Sequence, residues 1–201
     1  MSATRLRRDK TRADFYATPQ WVTRAILPHL PRSGALLDPC AGDGAILRVA
    51  CETVRGGIRA IELDATRADV IARSLPWADL IEGDALDAGA TEATEAWRVP
   101  HGLVLMNPPF SRAMDFVRRA VSEQAPHGGT TAALLRLSML AGLARVEFWR
   151  DNPCDVYVLP RRPSFTGRGT DSCEYAWFVW GPGRSGRWSV LDVPSAREAT
   201  R

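Results

Sequence analysis

From residue 34 onward, short apolar runs alternate with stretches of helix-like spacing, and that alternation constrains the fold more than any other feature of the chain. It is the pattern of a mostly parallel sheet covered by helices on both faces, an α/β architecture of Rossmann-like type. Strands are read at Ala35–Asp38, Gly57–Glu62, Leu80–Glu82, Leu103–Asn107, Ala133–Leu137, Asp155–Leu159 and Tyr175–Trp180. Helices fill the gaps, at residues 20–30, 45–55, 65–74, 112–125 and 140–150. The segment between the last two strands is rich in Arg, Gly, Pro and Ser and has no helical period. Those two strands are therefore expected to pair antiparallel.

A chain of 201 residues fits one domain with a sizeable core. With 45% hydrophobic and 24% charged residues, it is neither a disordered chain nor a disulfide scaffold. The four cysteines contain no CxxC pair and the three histidines are scattered, so no zinc site or disulfide framework is suggested. Reduced thiols in a cytoplasm are the expectation. No stretch approaches the ~20 apolar residues of a membrane helix, so no membrane partner is expected. Nothing in the sequence requires a particular oligomeric state.

The net charge is 26 − 23 = +3, and its placement is uneven. Residues 1–13 form a basic arm carrying Arg5, Arg7, Arg8, Lys10 and Arg12. Between Glu62 and Glu95 nine acids face two arginines, whereas Arg161 to Arg187 holds five arginines against Asp171 and Glu174. Such polarity suits a polyanion. The body of the domain is read as residues 14–183, followed by a tail at 184–201.

Three strand ends carry polar chemistry. The first runs Leu36-Leu37-Asp38-Pro39-Cys40-Ala41-Gly42-Asp43-Gly44, a buried strand entering a glycine turn that opens a helix. Gly42 and Gly44 allow a ligand close to the backbone, in the crevice where open α/β sheets bind. Leu47 stands where a dinucleotide fingerprint would have its third glycine, which speaks against a pyrophosphate cradle. The second strand end places Glu62 twenty residues after Gly42, where a carboxylate can accept from ribose hydroxyls. The third ends in Glu82-Gly83-Asp84-Ala85, with Asp84 placed to accept from an adenine amino group.

A fourth strand ends in Leu103-Val104-Leu105-Met106-Asn107-Pro108-Pro109-Phe110. The two prolines stop the strand and fix a rigid turn. The Asn107 side-chain oxygen and the Pro108 carbonyl become convergent acceptors beside an aromatic ring.

In this order and spacing, the segment 38–44, Glu62, Asp84 and Asn107–Phe110 resemble the motifs of S-adenosylmethionine-dependent amino methyltransferases, above all the DNA adenine-N6 methyltransferases. Phe15-Tyr16-Ala17-Thr18-Pro19 resembles the segment of that family that covers the cofactor. Arg162–Gly167, with Asp171-Ser172 and Tyr175–Phe178, is similar to the substrate-side hairpin of small phage and prophage members. The resemblance spans residues 14–181 and implies a seven-stranded sheet with one antiparallel strand.

It further implies cofactor contacts from Phe15, Thr18, Pro19, Asp38, Pro39, Ala41, Gly42, Gly44, Glu62, Leu63, Asp84, Ala85 and Asn107. Asn107, Pro108, Pro109 and Phe110 would form the target-amine site. Arg112, Arg161, Arg162, Phe165 and Arg168 are expected on the substrate side, with Arg161, Arg162 and Arg168 on phosphates. The partner would be DNA, either duplex with a flipped adenine or single-stranded. RNA adenine methylation, cytosine-N4 methylation, glutamine methylation of a protein and a non-catalytic nucleic-acid-binding module are the alternatives. Unlike larger members, the chain has no long recognition domain after the catalytic core.

Overall fold

Residues 15–89, 91–165 and 169–193 are described by a computed structural model. Eight strands form one sheet in the order β3-β2-β1-β4-β5-β7-β6-β8. They are β1 Leu36–Asp38, β2 Ile58–Glu62, β3 Asp79–Glu82, β4 Leu103–Met106, β5 Thr130–Arg136, β6 Asp155–Val158, β7 Tyr175–Trp180 and β8 Trp188–Val190. β7 runs antiparallel to both neighbours, β5 and β6, and every other pairing is parallel.

The central strands are buried along their whole length, as the continuous apolar runs LVLM and YAWFVW require. Alternate residues feed two cores. Leu36, Leu103, Leu105 and Trp177 pack on one face beneath α1 (Gln20–Ile26), α2 (Ala45–Ala50) and α3 (Ala65–Ser74). Leu37, Val104, Met106 and Phe178 pack on the other beneath α4 (Thr91–Arg98), α5 (Ala113–Gln124) and α6 (Val146–Asp151). No helix among the described residues is long and apolar enough to cross a membrane.

Two elements depart from the sequence reading. Helix α4 falls where no helix was expected. It is short, and it is held because Ala93, Ala96 and Trp97 lie on one buried stripe and the Trp97 indole donates to the Ala85 carbonyl at 2.7 Å. The sheet also has eight strands rather than seven, because β8 forms inside the segment read as a tail and pairs with β6. Its anchor is Asp155. That carboxylate accepts from the Ser185 and Arg187 N–H groups at 3.2 and 3.0 Å and pairs with Arg184 at 3.3 Å. Burial opposes its charge, but these hydrogen bonds win and hold the carboxyl below the usual range.

The expected helix at 140–150 is broken into 3-10 turns and a single short α-helix at 146–151. The helix opening at residue 20 ends at Ile26 and tightens into a 3-10 turn containing Pro28, which lacks the N–H a longer helix needs.

Candidate active site

Four parallel strands, β1 to β4, end side by side, and their carboxyl ends open on one cleft, the position where open α/β sheets bind ligands. The glycine turn forms its floor. Gly42 adopts φ +59°, a left-handed conformation, and any side chain there would run into the Phe15 ring. Its N–H donates to Glu62 Oε2 at 2.7 Å, which ties the turn after β1 to the end of β2. Gly44, at φ +83°, is the cap of α2 and is not part of the lining.

Glu62 is buried, and its other oxygen accepts from the Asp64 N–H at 2.9 Å and pairs with Arg67 at 2.9 Å. Arg67 also lies over the Phe15 ring, 4.7 Å from its centroid. Asp38 is buried in the lining, its Oδ1 accepting from the Cys40 N–H at 3.2 Å and its Oδ2 left without a partner. Burial, reinforced by the negative charge of Glu62 and opposed by the Cys40 hydrogen bond, pushes this carboxyl up to about 7. Burial also drives the Cys40 thiol well above its ordinary range.

At the end of β4, Asn107 donates from Nδ2 to the Tyr16 carbonyl at 3.3 Å and to Thr18 Oγ1 at 3.0 Å. A carbonyl only accepts, so these bonds fix which way the amide faces. Asn107 Oδ1 is thereby left buried and unpartnered. The Phe110 ring, past the Pro-Pro turn, stacks on Tyr16 at 5.4 Å and lies beneath the Arg136 guanidinium, 4.0 Å from the ring centroid. Phe165 joins this aromatic set, 5.7 Å from Tyr16 and 5.2 Å from Tyr175.

Of the residues expected from the sequence, Phe15, Thr18, Asp38, Pro39, Ala41, Gly42, Glu62, Leu63, Asp84, Ala85, Asn107, Pro108, Pro109, Phe110 and Arg112 line this one cleft. Pro19 does not. It caps α1, and its carbonyl accepts from the Val22 N–H at 2.9 Å. Asp84 and Arg112, read as separate cofactor and substrate groups, form an ion pair at 2.8 Å. Arg161 and Arg162 lie outside the lining, with Arg161 packed over the Trp21 ring at 4.6 Å. Arg168 and the basic arm lie outside the described residues.

Sequence reasoning missed Tyr16, Arg67 and Arg136 as site residues. Each carried a signal: Tyr16 stands inside the covering segment, Arg67 in the first turn after an acidic strand end, and Arg136 at the polar end of an apolar strand.

No family model matches the chain, and no curated protein matches it in sequence. Solved structures do. A Listeria monocytogenes protein assigned as a class I S-adenosylmethionine-dependent methyltransferase superposes with a TM-score of 0.63 at 15% identity, over 87% of this chain and 65% of its own length. An Agrobacterium tumefaciens protein assigned as an O-methyltransferase gives 0.61 at 18% identity, over 85% and 84% of the two chains. An rRNA methylase from Streptococcus thermophilus gives 0.55 at 11% identity, over 79% and 93%. At such identities the likeness is one of fold alone.

Proposed function

We propose that this chain transfers a methyl group from S-adenosylmethionine to the exocyclic N6 amine of adenine in DNA. The observation that carries the reading is Asn107 Oδ1, a buried acceptor without a partner, held by Tyr16 and Thr18 in the same cleft as Asp38 and Glu62. An unpaired buried polar atom is costly and persists where a ligand completes it.

The cleft fits the cofactor on its own chemistry. Asp38 Oδ2 is a buried anion-capable atom with no partner, suited to an ammonium. Glu62 sits at the end of β2, with lone-pair capacity left for ribose hydroxyls, and the Gly42 turn leaves backbone within reach. Phe15 lies against this half of the cleft. When bound, the cofactor supplies an electrophilic methyl on a sulfonium.

The protein's part is positioning. An adenine amine is a weak nucleophile because its lone pair is delocalised into the ring. Asn107 Oδ1 and the Pro108 carbonyl would accept its two N–H bonds and favour a pyramidal nitrogen. This is electrostatic preorganisation, of the kind whose loss costs about 10²–10³ in rate when one donor or acceptor is removed. Phe110 would stack on the base, which takes the place now held by the Tyr16 ring. A base in a duplex has first to be flipped out, at a cost of a few kcal/mol. The basic stretch from Arg161 to Arg187 favours a nucleic acid over a protein amide. DNA is favoured by the resemblance of Asn107–Phe110 and of residues 162–178 to the DNA adenine enzymes.

The test is transfer from labelled S-adenosylmethionine to duplex DNA, single-stranded DNA and RNA, with digestion to nucleosides. N6-methyladenine from a DNA substrate is expected. Label only in RNA or in N4-methylcytosine would replace the substrate, and no label in any of them would overturn the nucleic-acid reading.

A further inference from the structure

Arg136 closes β5, whose neighbour β4 delivers Asn107–Phe110, and the two strands run parallel in a register that pairs Met106 with Ala133. The topology therefore brings the Arg136 side chain to the acceptor half of the cleft, and its guanidinium lies on the Phe110 ring. Its Nε donates to the Tyr175 hydroxyl at 3.2 Å, and that hydroxyl donates in turn to Asp171 Oδ2 at 2.9 Å. Burial pushes the Tyr175 phenol up, so it stays a hydroxyl and can serve both bonds. The hydrogen bond to Tyr175 raises Arg136 in turn, which keeps it fully charged.

Asp171 is the nearest acid in this chain of contacts, and it is already engaged by Tyr175, by the Cys173 N–H at 3.1 Å and by Ser172. Among the described residues, the two terminal nitrogens of Arg136 have no hydrogen-bond partner and no ion-pair partner. The group is thus a cation fixed at one end, packed on one side, and, among the described residues, unpaired at its fork. The loop between β6 and β7 comes to the same place, since Phe165 packs on Tyr16 and Tyr175.

We propose that Arg136 is a substrate contact whose open fork takes a backbone phosphate flanking the nucleotide that enters the cleft. Two parallel N–H donors match two phosphate oxygens, which a lysine ammonium cannot reproduce as a fork. The proposal rests on the nucleic-acid reading above and adds to it a specific residue outside the basic loop. A purely structural alternative gives Arg136 no role beyond packing on Phe110 and holding Tyr175.

The two are separated by salt. Binding of a fluorescein-labelled single-stranded oligodeoxynucleotide is followed by anisotropy over a range of KCl concentrations for the wild type, Arg136→Lys and Arg136→Met. Cofactor affinity is measured in parallel by calorimetry. Loss of one phosphate contact on a single strand should reduce the slope of log K against log salt by about 0.7 in Arg136→Met. Arg136→Lys should keep most of the slope with weaker binding, because it keeps the charge and loses the fork. Both variants should retain wild-type cofactor affinity, and in transfer assays KM for DNA should rise.

An unchanged slope in Arg136→Met, with the wild type binding normally, overturns the phosphate contact and leaves the nucleic-acid reading intact. An equal loss of slope in both variants also overturns it, since packing rather than charge would then decide. A wild type that binds no oligonucleotide at any salt removes both.

Discussion

Asp38 and Asn107 both line the cleft, and each has one buried side-chain oxygen left without a partner. For Asp38 the consequence is pH dependence. Its carboxyl titrates near 7 in the free protein, against 3.8 ordinarily, so it favours the neutral form in the folded state. A raised carboxylate stabilises the fold fully below its unfolded value, and the contribution is lost as pH rises through about 7. A cationic ligand reverses the preference, because it binds the ionised form. Affinity for S-adenosylmethionine is therefore expected to weaken as pH falls below about 7. In Asp38→Asn it should be weak and flat with pH, and a wild-type affinity that does not change across that range would contradict the assignment. For Asn107 the support comes from behind. Thr18→Val keeps the shape but removes one of the two acceptors that fix the amide. The loss of such a bond is worth about 0.5–1.5 kcal/mol, roughly a two- to tenfold fall in kcat. An unchanged kcat would show that Thr18 does not orient the amide.

The elements differ in how they are held, and this decides both their stability and how far the sequence revealed them. β8 is a three-residue edge strand with all its side chains exposed, and its turn is gathered by the Asp155 carboxylate. Asp155→Ala removes the acceptor of two backbone N–H groups and one partner of Arg184, which keeps the Tyr157 hydroxyl and the His29 carbonyl, so unfolding stability should fall by about 0.5–1.5 kcal/mol. In hydrogen exchange, the Leu191 N–H, bonded to the Val158 carbonyl at 2.9 Å, should lose protection before any amide of β4. Equal protection in both proteins would mean that strand pairing alone holds the edge. The central strands β1, β4 and β7 were legible because burial on both faces writes itself as an unbroken apolar run. β8 was not, because a strand made by one carboxylate and a turn has no apolar pattern to read. Helix α4 was missed for a related reason: its buried stripe is only Ala93, Ala96 and Trp97. In the site, the strand-end residues followed from position along the strand. The Asp84–Arg112 pair and the Arg136–Phe110 contact join residues 28 and 26 positions apart in the chain, so only the folded sheet shows them.

At the scale of the molecule, the sheet brings two half-sites to one edge, and the segment from Phe15 to Thr18 spans both. Phe15 lies under Arg67 and against the glycine turn, Tyr16 stacks on Phe110, and Asn107 is bound between them through Tyr16 and Thr18. In the proposed reaction a methyl donor and a planar acceptor would then meet beneath a single stretch of chain, where preorganised dipoles act on both. The central claim of this arrangement is that Asn107 Oδ1 acts on the acceptor amine rather than on the fold or the cofactor. Steady-state transfer of methyl to DNA by Asn107→Ala, set beside calorimetric binding of S-adenosylmethionine, tests it most directly. The expected result is a fall in kcat of about 10²–10³ with cofactor affinity close to that of the wild type. A variant that keeps its rate, or that loses rate only in proportion to lost cofactor binding, would contradict the account.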